Sequence, residues 1–91
     1  MEMTKKEHAE AAETIGLRAL AWVMSDSRLA PRLLGLTGLD PAGLRARAGE
    51  AATLSAVIAF LEQHEPDLTA CAEALDITPR ELVRAGEILS Q

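Results

Sequence analysis

The stretch Leu39-Asp40-Pro41-Ala42-Gly43-Leu44 constrains this chain most, because its grammar is written twice. Ile77-Thr78-Pro79-Arg80-Glu81-Leu82 repeats it: an apolar residue, a capping residue, a proline, two free positions and a leucine. Asp40 and Thr78 carry side-chain oxygens that accept from amides left unbonded in a first helical turn. Pro41 and Pro79 fall at the first helical position, where a missing N–H costs little. Leu39 with Leu44, and Ile77 with Leu82, fit a hydrophobic staple, and Glu81 three residues after Thr78 completes a capping box. Two helices therefore start by one device, each entered through a tight turn. A chain punctuated this way is predicted to be a set of short, closely connected helices.

The rest of the pattern fills in the bundle. Thr4 with Glu7 opens a first helix that is predicted to run from Lys5 to about Met24. Ile15, Ala19, Trp22 and Val23 form its stripe, and Leu17, Leu20, Ala21 and Met24 widen it, so its C-terminal half is expected in the core. Ser25-Asp26-Ser27 breaks that helix and can cap a second over Arg28 to Leu36, with Leu29, Leu33, Leu34 and Leu36 apolar and Gly38 as its left-handed end. The third helix follows the Asp40 cap to about Ala48. In the fourth, Glu50 to His64, residues Leu54, Val57, Ile58 and Leu61 keep the i, i+3, i+4, i+7 spacing. Pro66 ends it and begins a fifth, to about Leu75, carrying Leu68, Cys71, Ala72 and Leu75. The sixth runs from the Thr78 cap towards Gln91. Alanine and leucine dominate and β-branched residues are sparse, which favours helix throughout. The expected fold is all-α: a compact bundle of about six short helices in one domain, residues 1–91.

Pro41 and Pro79 lie 38 residues apart, and the same shift lays Ala19-Leu20-Ala21-Trp22-Val23 over Val57-Ile58-Ala59-Phe60-Leu61. The only two aromatics, Trp22 and Phe60, then fall in register. The six helices thus divide into two pseudo-repeated three-helix units, 4–49 and 50–90, with helix–turn–helix-like ends. Caps and apolar pattern carry the correspondence rather than identity, so duplication and convergence both stay open.

The run Leu36-Thr37-Gly38-Leu39-Asp40-Pro41, with Trp22 before it and the second turn after it, resembles a bacterial family catalogued as domain of unknown function 3572. The resemblance covers nearly the whole chain. It implies an all-helical fold and a bacterial cytoplasmic origin, and it assigns no catalytic or binding residues.

Chemistry is sparse. His8 and His64 share no metal-ligand spacing with Cys71 or with a carboxylate pair, so neither a metal nor a cofactor is expected. His8 reads as solvated and His64 as completing a helix C-terminus. Cys71 lies on an apolar stripe, where a lone cysteine is a small core residue, and it cannot form an internal disulfide, which fits a reducing cytoplasm. Gly35-Leu36-Thr37-Gly38 lacks the lysine of a phosphate loop and is explained by helix termination. No enzyme class gains support and no catalytic residue is assigned. Thr69 to Leu89 has a helix–turn–helix look, with Pro79, Arg80, Glu81 and Arg84 where a recognition helix meets base edges. From Glu62 to Gln91, however, seven acidic residues face two arginines, a net charge of −5 that phosphate repels. Nucleic acid is not the expected partner.

Charge is unevenly placed. Arg18 to Arg47 holds five arginines against Asp26 and Asp40, a net of +3 inside a chain of −5. Arginine suits paired recognition of carboxylates. Arg28, Arg32, Arg45 and Arg47 are therefore the candidate interaction residues, to be met by acidic surface on a partner protein, on a second copy in a homodimer, or on the chain's own second unit. The longest apolar run, Ala19 to Met24, is far too short to span a bilayer. The expected function is a soluble, cytoplasmic, non-enzymatic domain acting through protein–protein contact or self-association; the alternative is a helix–turn–helix nucleic-acid binder.

Overall fold

A computed structural model describes residues 2–91, which fold into α1 (Lys5–Met24), α2 (Leu29–Thr37), α3 (Pro41–Ala46), α4 (Ala51–Glu62), α5 (Glu65–Ala74) and α6 (Pro79–Leu89), with no strand among the described residues. Each start expected from a capping side chain is a hydrogen bond. Thr4 Oγ1 accepts from the Glu7 amide at 3.1 Å, and the Glu7 carboxylate accepts from the Thr4 amide at 3.3 Å. Asp40 Oδ1 accepts from the Gly43 amide at 2.7 Å, and Thr78 Oγ1 from the Glu81 amide at 3.0 Å. Asp26 Oδ1 accepts from the amides of Arg28 and Leu29 at 2.8 and 2.9 Å, so the break after α1 also caps α2. Pro31 is the third residue of α2, within the turn whose amides have no intrahelical partner anyway.

The ends are equally local. Gly38, at φ 72°, takes the left-handed conformation that stops α2. Asp76 does the same after α5 at φ 59°, without a glycine's freedom. There the Ile77 amide reaches the Ala72 carbonyl at 3.0 Å and the Asp76 amide the Glu73 carbonyl at 3.1 Å, the paired bonds of a Schellman turn. The chain is thereby turned at once into the Thr78 cap.

Three helices, α1, α4 and α6, pack against one another and form the centre. Leu54, Val57, Ile58 and Leu61 of α4 meet Ala19, Leu20 and Val23 of α1 and Leu82, Ala85 and Leu89 of α6 in one buried cluster. Two glycines set the spacing. A Cβ on Gly16 of α1 would stand 2.9 Å from Leu54 Cβ, and one on Gly86 of α6 would stand 2.9 Å from Ile58 Cγ2. A larger residue at either position would press its helix away from the facing side chains of α4. Helix α5 packs on α4, α6 and α1 through Leu68, Cys71 and Ala72, and α2 packs on α1 through Leu29 and Leu33.

Three details differ from the sequence expectation. Helix α3 ends at Ala46 rather than Ala48, because Arg47 leaves helical geometry (φ −99°, ψ 3°) and bonds from Ala48 to Arg45 and from Glu50 to Arg47 turn the chain into α4. Helix α1 is not covered all round: Leu17 is 44% exposed, Ala21 is exposed and Met24 is half-buried, since the short α3 does not close over that side. Leu36 is 68% exposed although it continues the Leu29–Leu33 stripe. The apolar face of α2 runs one turn past the elements that can cover it.

Candidate interaction surfaces

The start of α2 is tied to the start of α5. Arg28 Nη2 donates to Asp67 Oδ1 at 2.6 Å, and His64 Nδ1 lies 2.8 Å from Asp67 Oδ2. Asp67 is the one buried charged residue among those described. The hydrogen bond from Arg28 holds its carboxyl below the ordinary value of 3.8, helped by the bond to His64 and by both neighbours' charge, although burial pushes the other way. An ionised carboxylate only accepts, so His64 Nδ1 carries the proton in that contact. His64 is therefore not the C-terminal residue expected of α4. Helix α4 stops at Glu62, and His64 is the N-cap of α5, because Pro66 is accepted in the first turn of that helix.

Of the four candidate arginines, Arg28 and Arg32 stand on the first turns of α2, and Arg45 and Arg47 at the end of α3. Arg28 is engaged by Asp67, from the acidic second half of the chain. One turn on, Arg32 borders a depression of about 230 Å³ with Leu36, Phe60, Gln63, His64 and Asp67. Arg45 lines a different groove, against α1, and Arg47 stands 3.8 Å from Glu50 with both side chains exposed, a contact of little energy. The depression and the groove share no residue. Arg18 is used internally as well: its Nη2 donates to the Leu75 carbonyl at 2.8 Å, a cation on the C-terminus of α5. Arg32 and Arg45 have no acidic partner within ion-pair distance among the described residues.

Two grooves flank α1. Leu17, Leu20, Ala21 and Met24 face Pro41, Leu44, Arg45 and Ala48 across about 300 Å³. On the other side, α1 and α6 enclose about 340 Å³ floored by Ala11, Ala12, Ile15, Ala85 and Ile88, with His8, Arg80, Glu81 and Arg84 at the rim. Lys5 lies beside His8 and Arg84 where this groove continues towards Gln91. Sequence reasoning missed both grooves. Residues from α1 become neighbours of α3 or α6 only through the packing, although the apolar character of Leu17 and Met24 was visible.

Cys71 is fully buried, and burial pushes its thiol up to about 11, so it is no nucleophile near neutral pH. Among the described residues, no three His, Cys, Asp or Glu side chains stand together as a metal site would require, and no helix is long and apolar enough to cross a membrane.

No curated protein and no solved structure matches the chain. A family model described as a protein of unknown function, DUF3572, matches residues 9–91. That match takes in all six helices except the first turn of α1, and the chain belongs to the DUF3572 family.

Proposed function

We propose that this chain is a non-enzymatic, cytoplasmic bacterial protein that holds an acidic segment of a partner protein on the ledge formed by α2 and the α4–α5 corner. Exposed Leu36 carries the reading. It sits beside Arg32, Phe60 and Gln63 around one depression, so an uncovered apolar residue, a cation without an acid and an aromatic edge converge. Arginine and aromatic side chains are enriched at protein interfaces. The ledge is stiffened from below, because the Arg28–Asp67–His64 contacts fix α2 to α5. A lone buried thiol suits the reducing compartment.

The test places a photocrosslinking residue at Leu36 in the cell and repeats the experiment with Arg32→Glu. Adducts with a distinct set of acidic proteins should form and disappear in the Arg32 variant, while far-UV circular dichroism stays unchanged. Adducts that persist after the charge reversal refute the ledge. Adducts between two copies of the chain, with a dimer in sedimentation velocity, would make the partner a second copy.

One observation favours nucleic acid as a second reading: the fold sets Lys5 and His8 of α1 beside Arg84 of the helix–turn–helix-like α5–α6 pair. Glu81 and Glu87 share that face, and Glu87 lies 3.2 Å from Arg84. Retention on duplex DNA that falls steeply with salt would support this reading, and flow-through at low salt would remove it.

A further inference from the structure

We infer that the groove between α1 and α3 is the seat of a single amphipathic helix from a partner protein, apolar along one face and acidic at its edge. The site is separate from the α2 ledge and does not depend on it. One wall is a ridge of α1, Leu17, Leu20, Ala21 and Met24, spaced i, i+3, i+4, i+7; the other is made by Pro41, Leu44 and Arg45 of α3 with Ala48 in the turn beyond it. Side chains at that spacing stand on one helical face, and an incoming ridge packs along such a row. The α1 wall extends over two turns, about 10 Å, so the fitting segment is a helix of two to three turns.

In the second half of the chain the matching contact is closed at its centre, while Ser55 and Ala59 border an open depression beside Leu89. Thirty-eight residues on, the matching positions are Ser55, Ile58, Ala59 and Glu62 of α4 against Pro79, Leu82, Val83 and Gly86 of α6. There Ile58 and Leu82 are fully buried, and Gly86 lies so close that a Cβ would meet Ile58 Cγ2 at 2.9 Å. The flanking positions carry polar residues, half-buried Ser55 and exposed Glu62. In the first half α3 ends at Ala46, before Ala48 can bring a helix down on Leu20. The groove stays open, yet the flanking positions are Leu17 and Met24 rather than serine and glutamate. Positions 55 and 62 border a packed contact with polar residues, whereas 17 and 24 border an open one with apolar residues. Apolar residues at both positions fit a surface that is covered by another helix.

The charge on the rim selects the occupant. Arg45 is the single charged residue of the groove, has no acid within ion-pair distance among the described residues, and belongs to the +3 segment. An acidic residue at the edge of the incoming helix meets it, and a lysine there is repelled.

The experiment uses the full-length, ¹⁵N-labelled protein and two stapled helical peptides of leucine and alanine, identical except that one carries glutamates on its edge and the other lysines. The glutamate peptide should shift the amides of Leu17, Ala21, Met24, Arg45 and Ala48, and should bind about three- to tenfold more tightly than the lysine peptide. Arg45→Glu should reverse that order, and Leu17→Ser should weaken both peptides about tenfold. Residues 17 and 45 are exposed, so both variants should keep the parent's helical signal. Several results overturn the inference: no response to either peptide, shifts confined to the α1–α6 groove, or equal affinities unchanged by Arg45→Glu. It falls equally if the same amides shift with protein concentration alone, because the occupant is then a second copy, or if decanoate fills the groove while both peptides fail.

Discussion

Replacing Gly16 and Gly35 by alanine, one at a time, should give opposite signs from the same substitution. Both glycines lie within helices, so alanine gains up to about 1 kcal/mol of helical propensity at each, less near an end. At Gly35 of α2 nothing lies within 4 Å of the added carbon, and the gain is realised. Gly35 stands near the end of its helix, so the expected gain is about 0.5 kcal/mol, a rise in Tm of about 2–4 °C for a domain of this size. At Gly16 the new carbon meets Leu54 Cβ at 2.9 Å and Leu89 Cδ1 at 3.1 Å. The leucine tip can rotate away, but Leu54 Cβ is fixed to its backbone, so α1 and α4 must separate. Overpacking of this kind costs about 1–3 kcal/mol, which exceeds the propensity gain and leaves a net loss of up to about 2 kcal/mol. Gly86→Ala makes the third arm, because Ile58 Cγ2 is held by a β-branched residue with little rotamer freedom. Its penalty should shrink or change sign in an Ile58→Ala background, a coupling that a double-mutant cycle reads directly. Thermal and urea unfolding followed by circular dichroism provide the assay. A Gly16→Ala protein that gains stability as Gly35→Ala does would refute the close approach of the central helices.

Thr78→Ala and Asp40→Ala should each lower the urea midpoint by the equivalent of about 0.5–2 kcal/mol, because each removes a cap from a short helix; an unmoved midpoint in both would show the repeated turn to be ornamental. Asp67 has a folded pKa below its ordinary value, so its contribution is complete above 3.8 and is lost as pH falls through the folded value. Asp67→Asn should therefore lower stability at neutral pH and flatten the acid limb, with the two midpoint-against-pH curves converging at low pH. Asp76→Gly should stabilise by about 0.5–1 kcal/mol, since glycine takes the left-handed turn after α5 without the strain of a Cβ. Cys71 should resist maleimide at pH 8 in the native state and react at once in denaturant, as a buried thiol with a pKa near 11 must.

The sequence carried the local features well and the packing poorly. Thr4, Asp26, Asp40 and Thr78 cap the helices expected of them because a cap involves only the next two or three amides. Gly38 ends α2 for the same kind of reason. Gly16 and Gly86 gave no such signal. What makes them necessary is the identity of the facing residues, Leu54 and Ile58, which lie 38 and 28 positions away. The pairing of Arg28 with Asp67 spans 39 residues, and it answers in part where the arginine-rich segment turns. Leu17 and Leu36 show the limit from the other side: periodicity gives the apolar face of a helix but not how far its neighbours extend over it.

The uneven cover also locates where the molecule can respond to a partner. Helices α1, α4 and α6 are locked by backbone-to-side-chain contacts that leave no slack, so this layer should open only with global unfolding. Helix α2 is held by Leu29 and Leu33 together with the Asp67 contacts, whereas α3 has Leu44 as its one buried residue. Fewer buried contacts mean a lower cost of local opening, so α3 should exchange its amides faster than the central layer. A helix seated against Leu17 and Met24 would bury the open side of α3 as well as its own apolar face. Binding to the closed form alone should then raise protection in α3 by the free energy of binding and leave α4 nearly unchanged. A rigid centre and a loosely held margin are thus two consequences of one difference: α6 reaches across its partner helix through Gly86, and α3 stops short at Ala46.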